Sequence, residues 1–203
     1  MRPALDLTPD LAGLAATLVY LVVFGFVFVE SGLLLGFLLP GDSLLFAAGL
    51  VSATDGSGVS LTVLVIGVLV AAVAGDSVGY AFGARLGRPW LDRRAAGGRL
   101  DARHLRRAES FYQRFGWFAV VAARWIPWVR TFTPVLAGAA RMPYRRFLPA
   151  NVAGAVIWGP GLLVLGHVAA TEPTLRHTSY AVAGAFIAFS LVLAVVGVAR
   201  RRR

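Results

Sequence analysis

Long uncharged runs alternate with short charged connections along this chain. Residues 11–29, LAGLAATLVYLVVFGFVFV, hold no charge at all. At a ~1.5 Å rise per residue they nearly cross a ~30 Å hydrocarbon core. The pattern therefore predicts a membrane span that ends at Glu30. Residues 61–84, 147–170 and 179–199 predict three more spans, the first of these with Asp76 inside it. Residues 31–53 and 116–140 are also apolar, but interrupted. The first is interrupted by Gly32, Gly36, Pro40, Gly41 and Gly49 and holds the charged Asp42; the second carries Arg124, Pro127, Arg130 and Pro134. Both are too broken for a simple span and too apolar for a loop in water. From Leu100, the stretch LDARHLRRAESFYQRF sets Leu105, Ala108, Phe111, Tyr112 and Phe115 at helical spacing. It predicts an amphipathic helix on the membrane surface.

The charged connections orient these spans. Residues 85–115 form a polar loop with nine arginines against Asp92, Asp101 and Glu109. With RMPYRRF (141–147) and the terminal Arg200–Arg203, that loop is expected on the cytoplasmic side. TDGSGVS (54–60) has no basic residue and TEPTLRHT (171–178) has one, so both are expected outside. These placements agree if 31–53 and 116–140 each enter and leave on one side, the first from outside and the second from the cytoplasm. The expected architecture is an all-α polytopic membrane protein. It has about four transmembrane helices plus two oppositely oriented re-entrant helical hairpins in an inverted repeat. Residues 1–203 are expected to form a single membrane domain, with a core over about 15–170, a C-terminal span at 179–199 and a basic tail at 200–203.

Composition supports the membrane reading. The chain is 58% hydrophobic and 15% charged, where soluble proteins carry about 25% charged residues. Its net charge of +10 would suggest nucleic acid in a soluble protein. Here the arginines sit beside spans, so no nucleic-acid partner is expected. Cysteine is absent, which excludes disulfides and thiol chemistry, and three scattered histidines give no metal-site spacing. All twenty basic residues are arginine, a compositional hint of a bacterial source. Residues 1–10 show no signal-peptide pattern, so the first span is expected to stay as an anchor.

The two interrupted segments share a plan. LPGDSLLFAAG (39–49) and IPWVRTFTPVLAG (126–138) each hold a proline, a charged residue shortly after it, an apolar stretch and Ala-Gly. Pro40, Gly41, Pro127 and Pro134 are the expected hairpin breaks. Interrupted segments at matching places in two halves point to a transporter's binding site, and kinked helices are the plainer alternative. Four stretches then resemble the signatures of the DedA family: Glu30 followed by F-L-L-P-G-D-S (37–43) and L-F-A-A-G (45–49); G-D-S-V-G-Y-A-F-G-A-R-L-G (75–87); G-W-F-A-V-V-A-A-R-W-I-P-W-V-R-T-F-T-P-V-L-A-G (116–138); and N-x-x-G-A-x-I-W (151–158). Val129 departs from the pattern, where a small residue is expected. The resemblance implies a bacterial inner-membrane protein with re-entrant hairpins and proton-motive-force-dependent lipid transport. Undecaprenyl phosphate or a phospholipid is the implied cargo. It implies Glu30 and Asp42 as proton-coupling acids and Arg124 and Arg130 as phosphate-binding residues.

The chemistry of those four residues fits. An ionised side chain at membrane depth costs about 2.5–3.5 kcal/mol. Two acids and two arginines meeting in one site would balance to zero. Arginine offers a planar fork suited to phosphate and stays charged. Protonating an acid would release an arginine to take a lipid phosphate. Structural ion pairs stapling the hairpins are the plainer alternative. Asp76 either joins this network or caps a helix break, and Trp125 and Trp128 flank the arginines and are candidate cavity residues. Trp158 and Trp117 suit interfacial belts; Arg85 and Arg88 suit the cytoplasmic edge. His167 reads as a packing histidine, and the glycines of 75–87 as helix-packing positions. No catalytic residue and no cofactor is expected, and the chain is not expected to be an enzyme. Rival readings are a small-anion transporter, a membrane-integrity scaffold and a lipid-phosphate-modifying enzyme. Protons or sodium are the coupling ions considered, and a homo-oligomer is compatible with the sequence.

Overall fold

The computed structural model describes residues 7–32, 41–96 and 102–172. Every regular element among them is a helix: α1 (Leu7–Gly32), α2 (Gly41–Ser52), α3 (Leu61–Phe82), a π-helical turn (Gly83–Gly87), α4 (Arg88–Ala96), α5 (Ala102–Ala123), α6 (Pro127–Ala139) and α7 (Tyr144–Thr171). Among the described residues, three stretches are long and apolar enough to cross a membrane: Gly13–Gly32, Leu61–Arg93 and Tyr144–Thr171. They correspond to three of the four expected spans. The fourth, 179–199, lies outside the described residues, as do the basic tail and Pro40.

Each long helix has one buried stripe. α1 buries Ala16, Val23, Val27 and Glu30 while exposing Leu14, Leu18, Leu21 and Val22. α3 buries Leu64, Val68, Ala71, Ala72, Gly75 and Asp76. α7 buries Phe147, Ala150, Asn151, Gly154 and Ala155. The spacing is that of a helical face. The faces turned outward carry large apolar side chains, Val63, Ile66 and Val70 on α3 and Ile157, Val164 and Leu165 on α7. Apolar belts of this kind suit lipid, not water.

The residues divide into two compact units, to both of which α1, α3 and α7 contribute. The first holds residues 7–26, 41–68 and 159–172. In it α2 crosses α7 at a glycine pair. A methyl group on Gly49 would overlap the Leu163 carbonyl oxygen, and one on Gly166 would overlap that of Phe46. His167 Nδ1 lies 2.9 Å from the Ser52 hydroxyl, which also donates to the Gly49 carbonyl. The histidine is thus a partnered packing residue.

The second unit holds residues 27–32, 69–96 and 102–158. Here α6 crosses the end of α3 in the same way. A methyl on Gly138 would overlap the Tyr80 carbonyl oxygen, and one on Gly83 that of Val135. In both units each glycine abuts the carbonyl three residues before its partner glycine. The shared plan of 39–49 and 126–138 is therefore a shared way of packing. Small residues let the backbones approach. Gly138→Ala and Gly49→Ala should each wreck one crossing, with overpacking worth at least ~1–3 kcal/mol. The check is the yield of monodisperse protein in detergent, which should fall sharply for both, whereas Gly13→Ala, with open space at its Cβ, should express normally.

The structure departs from expectation over 85–96. This part of the expected polar loop is helical: α3 continues through the π turn into α4. Arg88 N–H bonds the Gly83 carbonyl five residues back, and this wider turn precedes Pro89, which has no N–H to give. Arg88 does not simply mark the edge. Its side chain is largely buried, paired with Glu109 and Asp92, and Nη1 donates to the Ala139 carbonyl at the end of α6 (3.3 Å). The expected surface helix and the first arm of the second hairpin are one helix, α5, because Gly116 is a contact point for Met142 and does not stop it.

Candidate functional site

Proline decides where the second interrupted segment breaks. A residue before proline is pushed out of helical geometry, and Ile126 before Pro127 is extended (φ −115°, ψ 106°). The end of α5 tightens as it stops: the N–H groups of Arg124, Trp125 and Ile126 each bond the carbonyl three residues back. Pro127 then opens α6, where its missing N–H costs nothing. Arg124 is thereby fixed directly after the last residue of α5, at a helix end that favours a cation. Arg130 follows one turn into α6, so the two arginines approach from different helices.

Both meet acids at the ends of the buried stripes. Arg124 Nη2 donates to Asp76 Oδ2 on α3 and to Asn151 Oδ1 on α7, the latter at 2.6 Å. Arg130 Nη2 donates to Glu30 Oε1 on α1 at 2.5 Å. Burial is nearly complete: Glu30 is 3% exposed, Asp76 5%, Arg124 8% and Asn151 1%. The Trp158 ring lies beside both guanidinium groups, with Arg130 Cζ 4.6 Å and Arg124 Cζ 5.7 Å from its centroid. Gly154, one turn before Trp158, makes room: a Cβ there would sit 2.7 Å from Arg124 Cδ. The pairs line a cavity with Ser31, Thr131 and Trp158. Its volume of about 20 Å³ suits one water, which needs roughly 10–15 Å³ on this measure. Two acids and two arginines make the cluster neutral, which offsets much of the cost of ionised groups at this depth.

The structure thus brings together Glu30, Arg124 and Arg130 of the expected set, and it decides Asp76: the residue sits inside an unbroken helix and joins the charge network. Asp42 belongs to the other unit, where it is half-buried in the first turn of α2, a position that favours an acid. Trp125 does not line this cavity; it is 69% exposed. The side chain of Trp128 lies outside the described residues, and Pro134 sits buried inside α6. Trp158, assigned to an interfacial belt by sequence, is a wall of the site instead. Sequence reasoning gave no role to Ser31, Thr131 or Asn151, although Asn151 opens the fourth signature. The spacing of Asn151, Gly154 and Trp158 at i, i+3 and i+7 was the signal, since it puts all three on one face of α7.

The arrangement defines a multi-pass, all-helical membrane protein with a buried, charge-balanced site. Comparison with known proteins gives its family. Residues 39–168 match the VTT domain. The chain is 32% identical over 186 residues to Protein DedA of Escherichia coli, covering 91% of this chain and 84% of that one. It is 36% identical over 174 residues to the uncharacterized membrane protein Rv0364 of Mycobacterium tuberculosis, covering 86% and 76%. It is 39% identical over 200 residues to Rv2637 of the same organism, covering 95% and 85%. The chain belongs to the VTT-domain, or DedA, family. No solved structure matches it significantly.

Proposed function

We propose that this protein is a proton-coupled translocase for a lipid phosphate in the bacterial cytoplasmic membrane. One observation carries the reading: two arginines, the residue type best shaped for phosphate, lie side by side in a buried cavity, each held by a carboxylate. A carboxylate and a phosphate compete for the same guanidinium hydrogens. Protonation of Glu30 weakens its hold on Arg130, and the arginine turns to a phosphate. Loss of that proton restores the pair and ejects the cargo. A cavity sized for one water holds no phosphate group, so this geometry corresponds to the closed state and loading requires the site to open.

In this reading 31–53 and 116–140 act as opposed re-entrant hairpins of an inverted repeat, and the repeated glycine crossings support that relation. The basic connections face the cytoplasm. Asp42 serves as the coupling acid of the first unit, protons are the coupling ion, and no covalent chemistry is done on the lipid. Undecaprenyl phosphate is the leading cargo and a phospholipid its rival.

Leaflet exchange in proteoliposomes tests this. Labelled undecaprenyl phosphate and phosphatidylethanolamine are followed with and without a pH gradient, in wild type, Glu30→Gln and Arg130→Ala. Gradient-driven movement of one lipid, lost in both variants, is expected. Immobility of both lipids under every gradient would overturn the reading.

A further inference from the structure

The site contains two separate arginine–acid pairs, and only one of them involves Glu30. Arg124 is held by Asp76, which reaches it from α3. We propose that Asp76 is a second exchanging carboxylate, so that binding one phosphate draws in a proton at Asp76 as well as one at Glu30. The inference rests on the phosphate reading above and deepens it.

Three observations carry it. First, Arg124 and Arg130 line the same cavity and share the ring of Trp158, so a phosphate that reaches one guanidinium reaches the other. A phosphate held by both competes with both acids for the guanidinium hydrogens. Second, charge must balance. The closed cluster is neutral with two carboxylates against two guanidiniums. A phosphate monoester dianion replaces two negative charges, and both acids must become neutral for the buried site to stay neutral. Third, the Arg124 side has unspent hydrogen-bonding capacity. Asn151 accepts from Arg124 through Oδ1, while its Nδ2 has no partner among the described residues although the side chain is 1% exposed. Buried donors are normally satisfied, and an incoming oxyanion supplies an acceptor.

Among the described residues, the titratable groups facing Asp76 are Arg124 from the end of α5, Arg130 from α6 and Glu30 from α1. α7 contributes only Asn151 and Trp158, which do not titrate. The step is a balanced exchange. Each carboxylate gains a proton from solvent as its guanidinium hydrogen bond passes to a phosphate oxygen, and each returns the proton when the phosphate leaves.

The test is the pH dependence of binding. Decyl phosphate is titrated onto purified full-length protein in detergent, above about pH 7.5. There a monoester, with its second pKa near ~6, is already a dianion. Each proton taken up weakens binding by ~10-fold per pH unit. Wild type should lose at least ~100-fold per unit. Asp76→Asn should lose one decade less, and Asp76→Glu should restore the wild-type slope. A structural role for Asp76 would lower affinity without changing the slope. Equal slopes in wild type and Asp76→Asn overturn the inference, and so does a wild-type slope of one decade or less, which needs no variant to fold. If wild type binds no decyl phosphate at any pH, the phosphate reading itself is overturned, and this inference falls with it.

Discussion

Arg124→Ala should destabilise the protein by about 3–5 kcal/mol, the usual result of removing one partner from a buried ion pair. The loss is large because of what remains. Asp76 is 5% exposed inside an apolar helix, and without Arg124 its carboxylate loses its principal compensation. Asn151 loses its donor at the same time. The origin of the cost makes it reversible: Asp76→Ala in the Arg124→Ala background should recover stability instead of adding to the damage. Thermal unfolding in detergent around the double-mutant cycle reads this directly. Strictly additive losses would mean that the two side chains do not act as a pair.

Arg130→Lys should cut transport of the lipid phosphate by at least ~10-fold while leaving the protein folded. Lysine keeps the positive charge that Glu30 faces, so the buried acid still has a cation nearby. It loses the planar fork that bonds two phosphate oxygens at once. It also changes the stacking over Trp158, where the guanidinium now lies 4.6 Å from the ring centroid; such contacts are worth about 0.5–2 kcal/mol. Since ~1.4 kcal/mol is tenfold, losing both features suffices for the drop. Initial rates of leaflet exchange at matched protein density provide the check. Wild-type rates in Arg130→Lys would show that charge alone matters and fork geometry does not.

The spans were legible because a helix in lipid must be apolar over some twenty residues. Gly13–Gly32, Leu61–Arg93 and Tyr144–Thr171 all announce themselves that way. The break before Pro127 was legible for a local reason, the missing N–H and the restricted Ile126. Pairing was harder. Five charged residues in apolar runs were visible, Glu30, Asp42, Asp76, Arg124 and Arg130, but which acid faces which arginine depends on helix rotation and crossing. Asp42 and Asp76 are equally conspicuous in the sequence, and it is helix packing, with Gly75 against α1 and Gly154 against Arg124, that accompanies the pairing of Asp76 with Arg124. Trp158 misled for a related reason. Tryptophan at a span usually marks the lipid interface, and its use as a wall for two guanidiniums follows from the face of α7 it shares with Asn151 and Gly154. The helical course of 85–96 was hidden because its arginines look like a solvated loop until Arg88 is seen paired with Glu109.

The central claim is that phosphate and carboxylate compete for the same two arginines. Infrared difference spectroscopy tests it most directly, on wild-type protein before and after adding decyl phosphate. The account predicts that ionised carboxylate bands fall and protonated carboxyl bands rise, with part of the signal missing in Glu30→Gln and part in Asp76→Asn. Phosphate that binds with no change in any carboxyl band would contradict it, because the acids would then be bystanders to the arginines they hold.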